Sequence, residues 1–92
     1  MIADKIGYKQ VTQASAVQVK TGPAGFFGLT VVVSTSASVT VYDGTSTSGT
    51  VLFTKSSLAV GEVIHFGGNA YAANKGLHVV VGGTGTVNIQ YT

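Results

Sequence analysis

Ninety-two residues suit a single domain, and one this small buries only about 60–65% of the surface its unfolded chain exposes, so docking or oligomerisation is expected to supplement its core. Cysteine is absent, which removes disulfides and thiolate metal sites. With 9% of residues charged, 45% apolar and a net charge of +2 carried by scattered lysines without an arginine, neither disorder nor nucleic-acid binding is expected.

Residues 1–14 hold Asp4, Lys5 and Lys9 and show the weakest alternation. They read as an N-terminal extended segment, either an edge strand over 5–11 or an arm that orders on a neighbour. Residues 15–92 are expected to form the folded domain. The stretch 16–20 alternates plainly and stops at Thr21-Gly22-Pro23. In 26–34, Phe27, Leu29, Val31 and Val33 share one face, while Val32 interrupts the polar face, so this strand is expected to be central or buried on both sides. Over 38–42, Val39 and Val41 point inward and Thr40 and Tyr42 outward.

Asp43-Gly44 then begins a turn that tolerates positive φ, and hydroxyls from Thr45 to Ser48 supply local backbone bonds. A strand over 50–55 follows, with Val51 and Phe53 on one side, and a short one over 63–66 closes at Gly67-Gly68-Asn69. The run 76–81 is almost continuously apolar, as suits a central strand. Gly82-Gly83-Thr84-Gly85 reads as a hairpin loop, since no helix or lysine follows to make a phosphate cradle. The last segment, 86–92, alternates Val87, Ile89 and Tyr91 with Asn88, Gln90 and Thr92. With β-branched residues dominant and turn signals every 8–12 residues or so, the prediction is all-β: an antiparallel, jelly-roll-like β-sandwich of about 7–8 strands.

Catalysis needs a base, an acid or a nucleophile with an orienting partner, and the inventory is three carboxylates and two histidines. His65 and His78 sit in separate strands among apolar neighbours, without the close spacing of a metal-binding pair. Asp43 reads as a turn former and Glu62, after Gly61, as a solvated hairpin residue. No catalytic, metal or cofactor-binding residue is expected, and the protein is not expected to be an enzyme. The N-terminus lacks a signal-like apolar run and no segment reaches about 18 apolar residues, so synthesis in the cytoplasm without a membrane partner is expected. Tyrosines near amides, above all Tyr71 between Asn69 and Asn74, with Tyr8, Tyr42 and Tyr91, keep glycan binding as the alternative function.

The run Val39-Thr40-Val41-Tyr42-Asp43-Gly44-Thr45-Ser46-Thr47-Ser48-Gly49-Thr50-Val51-Leu52-Phe53 is followed by a Gly-Leu-His-Val-Val-Val strand from Gly76 and a Gly-Thr-Val-Asn-Ile-Gln-Tyr strand from Gly85. Over residues 16–92 the chain thereby resembles small β-sandwich virion proteins of tailed bacteriophages. The resemblance implies a virion structural protein, foremost a capsid decoration (cement) protein and otherwise a tail or fibre module. Its partner would be the major capsid protein or another virion protein. A homo-oligomer is expected, a trimer ahead of a dimer, because such proteins sit on local symmetry axes. Wet contacts and strand addition between protomers suit this composition. The contact regions expected are Lys5, Tyr8 and Lys9 in the N-terminal segment and Thr45, Ser46, Thr47 and Ser48 in the hydroxyl-rich loop.

Overall fold

A computed structural model describes residues 7–12, 15–65 and 71–92. They form seven strands: β1 (Gly7–Thr12), β2 (Ser15–Thr21), β3 (Ala24–Asp43), β4 (Thr50–Lys55), β5 (Val63–His65), β6 (Tyr71–Ala73) and β7 (Gly76–Tyr91). All belong to one antiparallel sheet, so the all-β expectation holds. The twenty-residue β3 and the sixteen-residue β7 pair from Phe26↔Tyr91 to Asp43↔Leu77 and make a two-stranded spine. On the far side of β7, β2 covers its first half and β1 its second. On the far side of β3 stand β6, β5 and β4 in turn.

The spine corrects the expected strand divisions. The segments 26–34 and 38–42 are one strand, and so are 76–81 and 86–91. Gly82-Gly83-Thr84-Gly85 is therefore not a hairpin loop. It lies inside β7, paired as Ser38↔Gly82, Thr35↔Thr84 and Ser34↔Gly85. A glycine cluster signals close backbone approach as well as a turn, and here the former applies. Gly83 takes φ 70° against Ser36 at φ 58°, and a Cβ on Gly83 would collide with the Ser36 carbonyl. A Cβ on Gly85 would stand 2.5 Å from the Val33 carbonyl oxygen and 2.6 Å from Ala37 Cβ. Both spine strands thus distort at the same level, where the register slips between Thr35 and Ser38.

That distortion bends β3 back on itself. Phe26 pairs near one end of the strand and Val41, opposite Phe53, near the other. Fifteen residues of straight strand would span ~50 Å. The Phe26 and Phe53 rings nevertheless lie with centroids 6.0 Å apart. The core accordingly draws on both halves of the spine: Phe26, Leu29 and Val31 with Val39 and Val41, and Leu77, Val79 and Val81 with Val87 and Ile89. Val11 from β1, Ala37 from the middle of β3, Ala73 from β6 and Leu58 from the β4–β5 connection complete it.

Two further expectations shift. Slips at Phe26/Gly28 and Val31/Val33 change the side-chain parity of β3. Phe26, Leu29 and Val31 are buried as a result, while Val32 and Val33 are exposed, so the strand is central but not buried on both faces. The sequence also hid β6, three residues that pair with Ala24–Phe26. A three-residue strand has too few positions to display a period. The final alternation holds: Val87 and Ile89 are buried, Asn88 and Gln90 half-exposed.

Candidate functional site

Both carboxylates among the described residues serve the fold. Asp43 does not form its turn with the neighbouring Gly44, as the Asp-Gly pair suggests, but reaches the connection between β6 and β7 instead. Its Oδ1 accepts from the backbone N–H of Lys75 at 2.8 Å and of Asn74 at 3.1 Å. The Lys75 amide first, then that of Asn74, holds the carboxyl below its ordinary value of 3.8 against the opposing effect of desolvation. Gly44 does not adopt positive φ; its N–H donates to the Gly76 carbonyl at 3.1 Å. The turn is made further on, where Gly49 N–H donates to the Ser46 carbonyl and Ser48 N–H to Ser46 Oγ. The hydroxyl-rich loop thus bonds to itself as expected.

Glu62 is paired rather than simply solvated. Its Oε2 lies 2.8 Å from Lys55 Nζ, and its Oε1 accepts from the Ala59 N–H at 3.0 Å. The Lys55 side chain, then the Ala59 amide, holds its carboxyl below the ordinary 4.5. His65 and His78 stand opposite Gly28 and Tyr42, fourteen positions apart along β3. Among the described residues no group of three or more His, Asp or Glu side chains converges as a metal site would require.

The expected contact residues divide between two places. Tyr8 and Lys9 are exposed on β1, opposite Gln90 and Ile89, whereas Thr45, Ser46, Thr47 and Ser48 are exposed beside the start of β7. They therefore lie against opposite ends of β7. Lys5, Asn69 and the other residues of 1–6, 13–14 and 66–70 fall outside the described residues. Over Gly7–Thr12 the N-terminal segment takes the edge-strand form.

Register shows what sequence inspection missed: the outward rows of the sheet carry no charge. One set crosses β2, β7, β3 and β4 as Gln18–His78–Tyr42–Val51 and Ala16–Val80–Thr40–Thr54. The other crosses β1, β7, β3 and β5 as Tyr8–Gln90–Gly28–His65 and Gln10–Asn88–Thr30–Val63. Solvated sheet faces usually take charged side chains, whereas these rows present neutral amide, hydroxyl, aliphatic and aromatic ones. The strand lysines stand elsewhere. Lys9, Lys20 and Lys55 oppose the core residues Ile89, Leu77 and Val39, on three strands with no second partner among the described residues. Lysine at core-facing positions on an edge strand blocks pairing with another sheet. Alternation alone identified Thr40 and Tyr42 as outward, but only pairing placed Gln18 and His78 beside them.

Comparison with known protein families, curated proteins and solved structures finds no match for this chain. The fold by itself defines an all-β, single-sheet class.

Proposed function

We propose that this chain is a non-enzymatic structural protein of a bacteriophage virion, specifically a capsid decoration protein that binds the assembled shell and stabilises it. In this reading the bent sheet acts as a two-layered, jelly-roll-like sandwich, with the β2–β7–β3–β4 rows outward on one layer and the β1–β7–β3–β5 rows outward on the other. The observation that carries the proposal is the pair of uncharged outward surfaces on a chain with so few charges. A shell offers an extended, repeating protein surface, and neutral amides and hydroxyls bridge to such a surface directly or through water at little desolvation cost. The lysine-guarded edges direct contact to the faces and loops rather than to strand addition. The sequence resemblance to virion β-sandwich proteins supports the same assignment, with the major capsid protein as partner and a homotrimer as the form that docks. Binding the assembled shell in preference to free subunits stabilises it by linkage.

The test is genetic and physical. Particles assembled without the gene should form but release their contents at lower temperature, and added purified protein should restore the original midpoint. Equal thermal stability of the two particle types, or absence of the chain from purified virions, refutes the assignment.

A further inference from the structure

The outward rows over β2, β7, β3 and β4 contain an oriented side-chain cluster. Gln18 Nε2 donates to the Lys20 carbonyl at 2.7 Å and to the Gly44 carbonyl at 2.9 Å. Those two bonds use both N–H groups of the amide and set which way it faces. Its Oε1 lies 2.9 Å from His78 Nδ1 and is therefore the acceptor, so the imidazole donates from Nδ1. In the neutral ring, Nε2 is left as an acceptor. Gly76 makes this possible, because a Cβ there would stand 2.7 Å from Gln18 Nε2 and 2.5 Å from the Lys20 carbonyl oxygen.

The Tyr42 ring stands beside His78 in the same row, and two threonine hydroxyls lie in the next. The half-exposed rings of Tyr42 and His78 have centroids 6.2 Å apart and planes inclined at 53°. In the next row the Thr40 and Thr54 hydroxyls share a 3.1 Å hydrogen bond. No charged residue occupies either row.

We propose that this cluster binds a neutral glycan chain. A sugar has an apolar C–H face and a rim of hydroxyls that both donate and accept, which suits ring faces beside a fixed acceptor and a hydroxyl pair that keeps further donor and acceptor capacity. The charge match also selects a neutral ligand, since an anionic one would find no cation in these rows. Tyr42 and His78 take the C–H face, His78 Nε2 accepts from a sugar hydroxyl, and Gln18 is a positioning residue that holds the tautomer. Preorganisation of this kind lowers the ordering cost of binding. The site stands independently of the particle role.

Nuclear magnetic resonance of ¹⁵N-labelled full-length protein tests it, with cellotetraose, maltotetraose and chitotetraose as separate probes. At least one should move the signals of Thr40, Tyr42, His78 and Val80, and Tyr42→Ala should weaken that binding about tenfold or more. Gln18→Leu should keep the far-ultraviolet spectrum, mix the His78 tautomers as read from the imidazole ¹⁵N shifts, and weaken the sugar. Silence toward all three probes overturns the proposal, as do shifts confined to the Tyr8–Gln90 row. If Tyr42→Ala abolishes particle attachment while wild type ignores every sugar, the cluster is a protein contact; the virion assignment then stands and the glycan site falls. If the protein binds a sugar but never attaches to particles, the glycan site stands and the virion assignment falls.

Discussion

Asp43 terminates β3 and holds the approach to β7 by accepting two backbone N–H groups. Because its carboxyl is held below 3.8, the folded protein binds that proton more weakly than the unfolded chain does. The stabilisation is fully present above pH 3.8 and disappears as pH falls through the lower folded value. Asp43→Asn should lower the melting temperature at neutral pH, and the difference from wild type should shrink in strong acid; a constant difference would show that the charge is not the cause. Gly83 makes a second residue-level prediction. Alanine there meets both an unfavourable φ of 70° and the Ser36 carbonyl, whereas at Gly22, with φ 91°, an added Cβ meets nothing within 4 Å. Gly83→Ala should cost about 1–3 kcal/mol in urea denaturation, and more than Gly22→Ala.

Among the elements, β3 and β7 do most of the organising. Each is a single ladder whose halves serve different neighbours, and the bend between them lets Phe26 approach Phe53. The shorter strands β1, β2 and β4 close the spine and carry lysines at core-facing positions. If those lysines guard the edges, Lys9→Val with Lys20→Val should raise self-association in light scattering while leaving the far-ultraviolet spectrum unchanged. A double variant that stays as monodisperse as wild type removes that role from the lysines.

At the scale of the molecule, the chain pairs its beginning with its end, Gly7↔Tyr91 through Thr12↔Thr86. Most of the spine ladder likewise joins residues far apart in sequence, from Phe26↔Tyr91 inward. Closing such long loops precedes the contacts that reward it, so refolding should take milliseconds to seconds, in the range of all-β domains. Stopped-flow refolding complete within microseconds would contradict this topology. The same pairing explains why the N-terminal strand belongs to the sheet: Val11 is buried against the core with Val87 opposite.

The sequence by itself determined the class. Alternation of β-branched residues makes strands, and strict period two in 86–92 or at Val39 and Val41 requires no knowledge of partners because it is a property of the pleat. It also settled which functional groups the chain has to work with. What it could not supply was continuity and neighbourhood. The glycines at 82–85 carry the same local signal whether they turn a hairpin or admit Ser36 and Ala37 against the backbone, and only the opposite strand distinguishes the two. Asp43 looked local to Gly44 because its partners, Asn74 and Lys75, lie 31 and 32 residues away. The Gln18–His78–Tyr42 cluster joins three strands separated in the chain, so pairing register decided it.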